Sequence, residues 1–330
     1  MTLPKEHPMK NILSLAVVLA MGGTLSAQAV VKVDPKLQAY KKVAGVTGTL
    51  NSVGSDSLNN CMTYWVEAFK GSYPGVKIQV EGKGSGTAPP ALISGTSQIG
   101  PMSREMKAGE IDQFEKKFGY KPTRISVALD TLGVFVHKDN KIKSLSVKEL
   151  DGIFSKTRKS GVEDISAWSK LGLKGEWASK PISIYGRNSA SGTYGFFKEH
   201  VLGNGDYKDT VKEQPGSSSV VQSVGTDKFA IGYSGIGYKT SEVRAVPLSN
   251  PAKNGGKAFE ATYENALNGN YPLARALYIY VNMDPRKGLD PLVKQFITFI
   301  LSKEGQGVVI KDGYYPLPKK MVDEQLKNLK

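Results

Sequence analysis

The apolar positions of residues 30–330 switch repeatedly between the two-residue period of a strand and the 3.6-residue period of a helix. Residues 58–71 show the helical spacing, with apolar side chains at Leu58, Cys61, Met62, Trp65, Ala68 and Phe69. The pattern predicts short strands at residues 76–81, 98–100, 182–185 and 229–233, and further helices at residues 146–154 and 193–202. This alternation predicts an α/β fold with mainly parallel sheets flanked by helices. Cys61 lies on the apolar stripe of its helix, where a core position is favoured over a nucleophile.

Two longer β-rich stretches interrupt this rhythm. They are TRISVALDTLGVFVHK at residues 123–138 and YPLARALYIYVN at residues 271–282. A chain of 330 residues is longer than one hydrophobic core normally supports, so two lobes are expected. We therefore predict one lobe from residues 30–130 with 271–330, a second lobe from residues 131–270, and hinge strands that cross between them at the two long stretches.

The amino terminus carries an export pattern. Residues 9–29 read MKNILSLAVVLAMGGTLSAQA, in which Lys10 is a short basic start, residues 12–21 are apolar and Ala27-Gln28-Ala29 is an A-x-A cleavage site. This order is that of a secretory signal peptide, and its apolar run is short for a membrane span. We expect cleavage after about Ala29 and a soluble periplasmic protein. An uncleaved anchor or a buried strand is the alternative.

Composition excludes several classes of protein. With 40% hydrophobic and 22% charged residues the chain is globular, and one cysteine and three histidines leave little for a disulfide or a zinc site. The net charge is +14, of which residues 1–29 carry one unit, so residues 30–330 carry +13. The lysines are dispersed, which predicts a basic surface and not a nucleic-acid-binding arm. We expect no metal, no cofactor and no nucleic-acid partner.

Four short polar loops share one design. They read GSDS at residues 54–57, GSGT at 84–87, PMSR at 101–104 and RNSASGT at 187–193, and each follows a predicted strand. A helix start offers unpaired N–H groups, serine and threonine add hydroxyl donors, and glycine lets the backbone approach a ligand. Converging loops of this kind would form an oxyanion site. Alternatively, Ser57, Thr87 and Thr193 are plain helix caps.

Two charged residues sharpen the oxyanion hypothesis. Arg187 directly follows a strand, and a guanidinium binds two oxygens of a phosphate-like anion in parallel, although a surface salt bridge is the alternative. Asp56 would be unfavourable beside an anion unless that anion carries a proton, as phosphate does and sulfate does not. Asp56 therefore either accepts the phosphate proton or caps the helix from Leu58. No G-x-S-x-G, Walker A or H-E-x-x-H motif is found, so an enzyme is not indicated.

The chain from residue 30 onward resembles the PstS-type periplasmic phosphate-binding proteins of phosphate ABC transporters, in the type II periplasmic binding protein superfamily, over nearly its whole length. The resemblance is carried by SVGSDSLNNCMTYW, GKGSGTAPPALISGT, GPMSREM, YGRNSASGTYGFFKEHVL, EQPGSSSVVQSV, AIGYSGIGYKT and KDGYYPLPKK, in the family's order. The R-x-x-x-S-G-T element within the fourth string is the most specific part. The resemblance implies a two-lobed monomer that closes over one dehydrated phosphate and delivers it to a membrane permease.

Residue by residue, the resemblance places Arg187, Ser191, Gly192 and Thr193 in the family's second-lobe anion loop and Ser85 as a hydroxyl donor. Two positions depart from the family. The first helix-entry loop has Ser55, Asp56 and Ser57 where the best-known members have a threonine and an aromatic residue, and Ser103 stands where they have the aspartate that accepts the phosphate proton. The open alternatives are a receptor for sulfate, arsenate or molybdate, an exported phosphohydrolase, and a basic adhesion protein.

Overall fold

The computed structural model describes residues 30–329, so the predicted signal peptide at residues 1–29 lies outside the described part of the chain. The described residues form twelve strands and ten α-helices. The strands are β1 (Thr49–Val53), β2 (Lys77–Glu81), β3 (Ile99–Met102), β4 (Thr123–His137), β5 (Leu145–Ser146), β6 (Ser183–Arg187), β7 (Lys212–Gln214), β8 (Ala230–Gly235), β9 (Val243–Ala245), β10 (Leu248–Ser249), β11 (Ala258–Phe259) and β12 (Ala274–Val281).

The helices follow the predicted apolar stripes closely. The predicted helix at 58–71 is observed one residue later, and the long strand predicted at 123–138 is β4. None of the helices in the described part of the chain is long and apolar enough to cross a membrane. The helices are α1 (Asn59–Ser72), α2 (Ala88–Ser94), α3 (Ala108–Phe118), α4 (Val147–Phe154), α5 (Gly192–His200), α6 (Ser217–Thr226), α7 (Tyr263–Leu267), α8 (Pro291–Ile300), α9 (Lys303–Lys311) and α10 (Lys319–Lys327).

The main sheet has the strand order β2-β1-β3-β12-β4-β8-β6-β7, and β9 also pairs with β4. Its two ends are parallel, in β2-β1-β3 and in β8-β6-β7. Between them, β12 and β4 run antiparallel to their neighbours. The predicted α/β fold is confirmed, and the long strands add antiparallel pairing between two parallel ends.

Strand β4 is long enough to belong to both halves of this sheet. Its residues 123–131 pair with β12, and its residues 132–136 pair with β8. A fifteen-residue strand spans about 50 Å at ~3.3 Å per residue. One continuous strand therefore connects the two halves through backbone hydrogen bonds.

The buried apolar side chains divide at the same place. One large cluster takes its buried members from residues 37–128 and 277–329, including Trp65, Phe69 and Phe296. A second large cluster takes its buried members from residues 132–273, including Trp168 and Phe197. The lobe boundaries at residues 130 and 271 stay a prediction.

Cys61 belongs to the first cluster and is fully buried, which confirms the core position predicted for it. Burial raises the pKa of its thiol well above the ordinary value. Because the thiolate is the reactive form, the side chain is chemically inert in the folded protein.

Asp312, which ends α9, lies beside the first turn of α1. The backbone N–H of Cys61 donates to its carboxylate, but burial is the larger effect and raises the pKa of Asp312 to about 7. Its Oδ2 is buried with no hydrogen-bond partner in the described structure. A pKa raised on folding stabilises the folded state below about pH 4, and that stabilisation is lost as the pH rises through 7.

We predict that Asp312→Asn raises the melting temperature relative to wild type by a few degrees at pH 8, because the variant does not carry a buried charge there. The difference should shrink between pH 8 and pH 5, measured by thermal unfolding of the full chain. Asp209→Asn, at a side chain that is 82% exposed, is the matched control and should show no such trend. A difference of equal size at both pH values would contradict the prediction.

Candidate functional site

The four predicted polar loops meet in the structure. Residues 54–57 lie between β1 and α1, residues 84–87 lie between β2 and α2, Ser103 follows β3, and residues 188–191 connect β6 to α5. Backbone bonds tie them directly, since Ser55 N–H donates to Pro101 O at 2.8 Å and Gly86 N–H donates to Ala190 O at 2.9 Å. Residues that are far apart in sequence are thus brought to one place.

Hydroxyl groups from opposite sides of the site pair with each other. Ser57 Oγ lies 2.9 Å from Thr193 Oγ1, and both side chains are buried. Neither hydroxyl caps its helix: α1 has no side-chain cap, and α5 is capped by Ser191, whose Oγ accepts from Tyr194 N–H at 3.3 Å. The helix-cap interpretation of Ser57 and Thr193 is therefore wrong.

Thr87 does not cap its helix either, because its Oγ1 donates to Gly84 O at 2.8 Å. The cap interpretation is thus wrong for Ser57, Thr87 and Thr193 alike. What Thr87 does is close the turn of its own loop, because the bond returns to the glycine three residues earlier. Gly84 has φ +121°, a conformation that glycine adopts readily.

A second hydroxyl pair comes from Ser85 and Ser103. Their Oγ atoms are 3.3 Å apart, and Ser103 N–H donates to Ser85 Oγ at 3.0 Å. Gly192, the first residue of α5, lies directly against them. A Cβ at Gly192 would clash with Ser85 Oγ and lie 2.6 Å from Ser103 Oγ, so only glycine lets the start of α5 come this close.

Arg187 is buried at the end of β6, with 2% of its side chain exposed. Its Nη1 lies 3.1 Å from Asp56 Oδ2 and donates to Ser217 Oγ at 2.7 Å. Asp56 Oδ2 accepts from both the N–H of Ser217, at 2.8 Å, and its Oγ–H, at 2.7 Å. The alternative interpretation, a surface salt bridge, is therefore wrong, because the Arg187 side chain of this ion pair is buried.

Asp56 does not cap the helix that follows it. Its carboxylate instead caps α6, since Ser217 is the first residue of that helix. The cap interpretation for α1 is wrong, and the question whether Asp56 also accepts a phosphate proton stays open as a prediction. A carboxylate at the N-terminus of α6 is stabilised by the helix dipole as well as by Arg187.

Two buried polar atoms of the site have no hydrogen-bond partner in the described part of the chain. They are Ser55 Oγ and Arg187 Nε. A buried polar group without a hydrogen-bond partner destabilises the folded protein, so such groups are usually satisfied by a ligand or by water. Both atoms belong to residues that the sequence assigned to anion binding.

Sequence reasoning missed a second arginine. Arg275 on β12 lies opposite Asp130 on β4, and its Nε donates to Asp130 Oδ2 at 2.9 Å. Burial raises the pKa of Asp130, while Arg275 and the N–H of Ile236 oppose the rise. The signal was present as one acidic and one basic residue within the two apolar runs predicted to cross.

Two tyrosines and a serine were also missed. Tyr238 Oη donates to Asp56 O at 3.0 Å, and Tyr314 Oη donates to Ser57 O at 2.8 Å. Burial raises the pKa of both phenols, so each remains a neutral donor at physiological pH. The two tyrosines hold the backbone of the loop at residues 54–57 in place, while Ser217 holds the Asp56 carboxylate.

The two histidines beyond residue 29 have local partners. His200 Nδ1 lies 3.0 Å from Phe196 O, and its ring stacks on Phe196 with centroids 4.0 Å apart, so the side chain packs on its own helix. His137 Nδ1 accepts from Asp139 N–H at 3.2 Å. Within residues 30–329 no group of three or more His, Cys, Asp or Glu side chains is placed to hold a metal ion.

Comparison with known proteins agrees with this geometry. Residues 41–304 match the family model of the PBP superfamily domain. The chain is 54% identical over 319 residues to "Phosphate-binding protein PstS" of Pseudomonas aeruginosa, covering 96% of this chain and 98% of the relative.

Solved structures give the same picture. A protein from Clostridium perfringens, assigned as a phosphate ABC transporter substrate-binding protein and solved with bound phosphate, is 30% identical with a TM-score of 0.68, over 82% of this chain and all of that one. An ABC-type phosphate transport receptor from Vibrio cholerae, at 22% identity, shares the fold with a TM-score of 0.64 over 81% of this chain and 100% of that one. The chain therefore belongs to the PBP superfamily and, within it, to the family of the phosphate-binding protein PstS.

Proposed function

We propose that this protein captures inorganic phosphate in the periplasm and delivers it to the membrane permease of an ABC transporter. The single observation that carries the proposal is the meeting of Arg187 with hydroxyl-bearing loops from four strand ends. The relatives named above, one of which holds phosphate in its structure, support the same ligand.

The site binds the anion through three kinds of donor. Arg187 offers its buried Nε, since its Nη1 is bonded to Ser217 and Asp56, and Ser55, Ser57, Ser85, Ser103 and Thr193 offer hydroxyl groups. The amino-terminal ends of α1 and α5 add backbone N–H groups and favourable dipoles. Gly192 allows the start of α5 to reach the anion, and Ser191 caps that helix.

Binding closes the two lobes over the ligand. The contacting residues come from both predicted lobes, with Ser57 and Ser85 in residues 30–130 and Arg187 and Thr193 in residues 131–270. All contacts form together only when the two sides are close, which links affinity to the closed shape. The closed receptor is the form that the permease recognises.

We infer that phosphate is bound without chemical turnover. The family consists of solute-binding proteins, and both histidines of the described chain are engaged with neighbouring backbone groups. The hydroxyls of Ser57, Ser85 and Ser103 bond to other hydroxyls or to a backbone N–H, and neither of the two described histidines is bonded to them.

The first prediction concerns the ligand itself. Isothermal titration of phosphate-stripped protein at pH 6–8 should show one site for phosphate, with arsenate competing and sulfate at least about a hundredfold weaker, because sulfate carries no proton for an acceptor in the site, such as a serine hydroxyl oxygen, to receive. Equal affinities for sulfate and phosphate would replace phosphate with a broader oxyanion ligand. Turnover of a phosphate ester by the same preparation would contradict the inference of binding alone.

The second prediction concerns Arg187. Arg187→Ala should weaken phosphate binding by about 2–4 kcal/mol, since it removes a charge-assisted contact from a buried anion. Arg286→Ala, at an arginine whose side chain is 81% exposed, is the control and should bind as wild type. Titration showing a loss under threefold for Arg187→Ala would place this residue outside the site.

The third prediction separates two roles for Asp56. Because its Oδ2 already receives Ser217 and Arg187, we expect Asp56→Asn to weaken phosphate and sulfate alike, by roughly tenfold, through loss of a charge-assisted contact. The phosphate-to-sulfate ratio should change by less than about threefold. The control is Asp151→Asn, at a buried carboxylate that accepts Ser160 N–H at 2.9 Å. A clear decrease in the phosphate-to-sulfate affinity ratio of Asp56→Asn would identify Asp56 as the acceptor of the phosphate proton.

A further inference from the structure

Arg275 and Asp130 form an ion pair on the two antiparallel strands that run through the middle of the sheet. The residues are register partners on β12 and β4, and their side chains are 2% and 0% exposed. Besides the Nε contact, Nη2 of Arg275 lies 2.8 Å from Asp130 Oδ2. A buried ion pair contributes little net stability compared with a packed apolar pair. The pair therefore calls for an explanation other than holding the strands together.

The other N–H groups of Arg275 contact residues of the proposed anion site. Nη1 donates to Ser103 O at 2.8 Å, and Nη2 donates to Thr193 Oγ1 at 3.0 Å. The guanidinium also packs over the ring of Phe196 on α5, 5.2 Å from its centroid. Arg275 thus contacts one residue of each hydroxyl pair, through the hydroxyl of Thr193 and through the backbone carbonyl of Ser103.

The contact with Thr193 fixes the direction of a hydrogen bond. A threonine hydroxyl has one hydrogen to donate, and a guanidinium only donates and stays protonated in proteins. Thr193 Oγ1 therefore accepts from Arg275, and one of its lone pairs is always occupied. Its own hydrogen is left for Ser57 Oγ, 2.9 Å away, or for a bound anion.

The other hydroxyl pair has the same arrangement with a different donor. Ser85 Oγ accepts from the backbone N–H of Ser103, which leaves its hydrogen for Ser103 Oγ or for the anion. In each pair one hydroxyl oxygen accepts from an N–H group: Thr193 Oγ1 accepts from Arg275, and Ser85 Oγ accepts from the backbone N–H of Ser103. Arg275 also donates to the backbone carbonyl of Ser103.

We propose that Arg275 is a positioning residue of the phosphate site: anchored by Asp130, its guanidinium fork holds Thr193 and Ser103 in place and commits the Thr193 hydroxyl to donate toward the anion. The role deepens the proposed function and rests on it. Because Asp130 balances its charge, Arg275 orients neutral donors without adding net charge to the site. Its action depends on the planar fork, which lysine does not reproduce.

The test measures phosphate dissociation constants of the full chain by equilibrium dialysis with labelled phosphate. Arg275→Lys keeps the charge and should raise the dissociation constant about tenfold or more. Arg244→Lys is the matched control, since Arg244 is a partly buried strand arginine whose Nε donates to Asn140 O at 2.7 Å away from the site. It should bind phosphate as wild type.

A double-mutant cycle distinguishes positioning through Thr193 from a general structural defect. In a Thr193→Val background, Arg275→Lys should cost only about threefold, because its bond to Thr193 is gone and only the bond to Ser103 O is left to lose. In a Ser55→Ala background it should still cost about tenfold, because no bond joins Ser55 to Arg275. Equal losses in the wild-type, Thr193→Val and Ser55→Ala backgrounds would overturn the proposal.

A second variant guards against misfolding of Arg275→Lys. The pair Asp130→Asn with Arg275→Gln removes both charges and leaves no uncompensated ion in the core. It should fold, as judged by thermal unfolding, and still lose about tenfold or more in phosphate affinity, since the amide is too short to serve both Ser103 and Thr193. Binding within threefold of wild type would overturn the proposal. If wild type itself bound no phosphate, the proposed function would fail, which is a separate outcome.

Discussion

A buried arginine needs an anionic partner, and the described part of this molecule has two buried arginines, each paired with a carboxylate. The arrangement of the site depends on these two ion pairs. Arg187 faces Asp56, and Arg275 faces Asp130, so each guanidinium is neutralised by a carboxylate of the protein itself. An unpaired buried charge would destabilise the fold by several kcal/mol. Asp56 follows β1 whereas Arg187 ends β6, and Asp130 lies on β4 opposite Arg275 on β12, so charge pairing also ties distant segments together.

Pairing leaves the described site with two cations and two anions and therefore little net charge of its own. In the proposed site, specificity then rests on donors whose positions are fixed: paired hydroxyls, helix starts and Nε of Arg187. Such donors bind tightly only to an anion whose oxygens match their geometry, and they bind weakly to a ligand that leaves one of them unpaired. The net charge of +13 on residues 30–330 belongs to the surface, where salt screens it within about 8–10 Å.

Local sequence was enough to predict the loops of the site but not the network behind them. The strand–loop–helix pattern locates residues 54–57, 84–87 and 187–193, and the R-x-x-x-S-G-T element assigns Arg187 and Thr193. Arg275 and Asp130 are 145 residues apart, and Asp56 and Ser217 are 161 apart. No local period encodes such partners. For Arg275 and Asp130 the one trace in the sequence is a charge inside each apolar run, which is unfavourable unless a partner meets it across the sheet.

The same limit explains why helix capping was assigned wrongly. Ser57 and Thr193 stand at helix entries, where a hydroxyl normally accepts a backbone N–H two or three residues later. In the structure each hydroxyl turns toward the other, and α5 takes Ser191 as its cap instead. A cap is satisfied within its own helix, whereas a hydroxyl directed to another segment is available to whatever lies between the two. That contact between two helix starts, which no propensity predicts, brings α1 and α5 together on opposite sides of the proposed phosphate site.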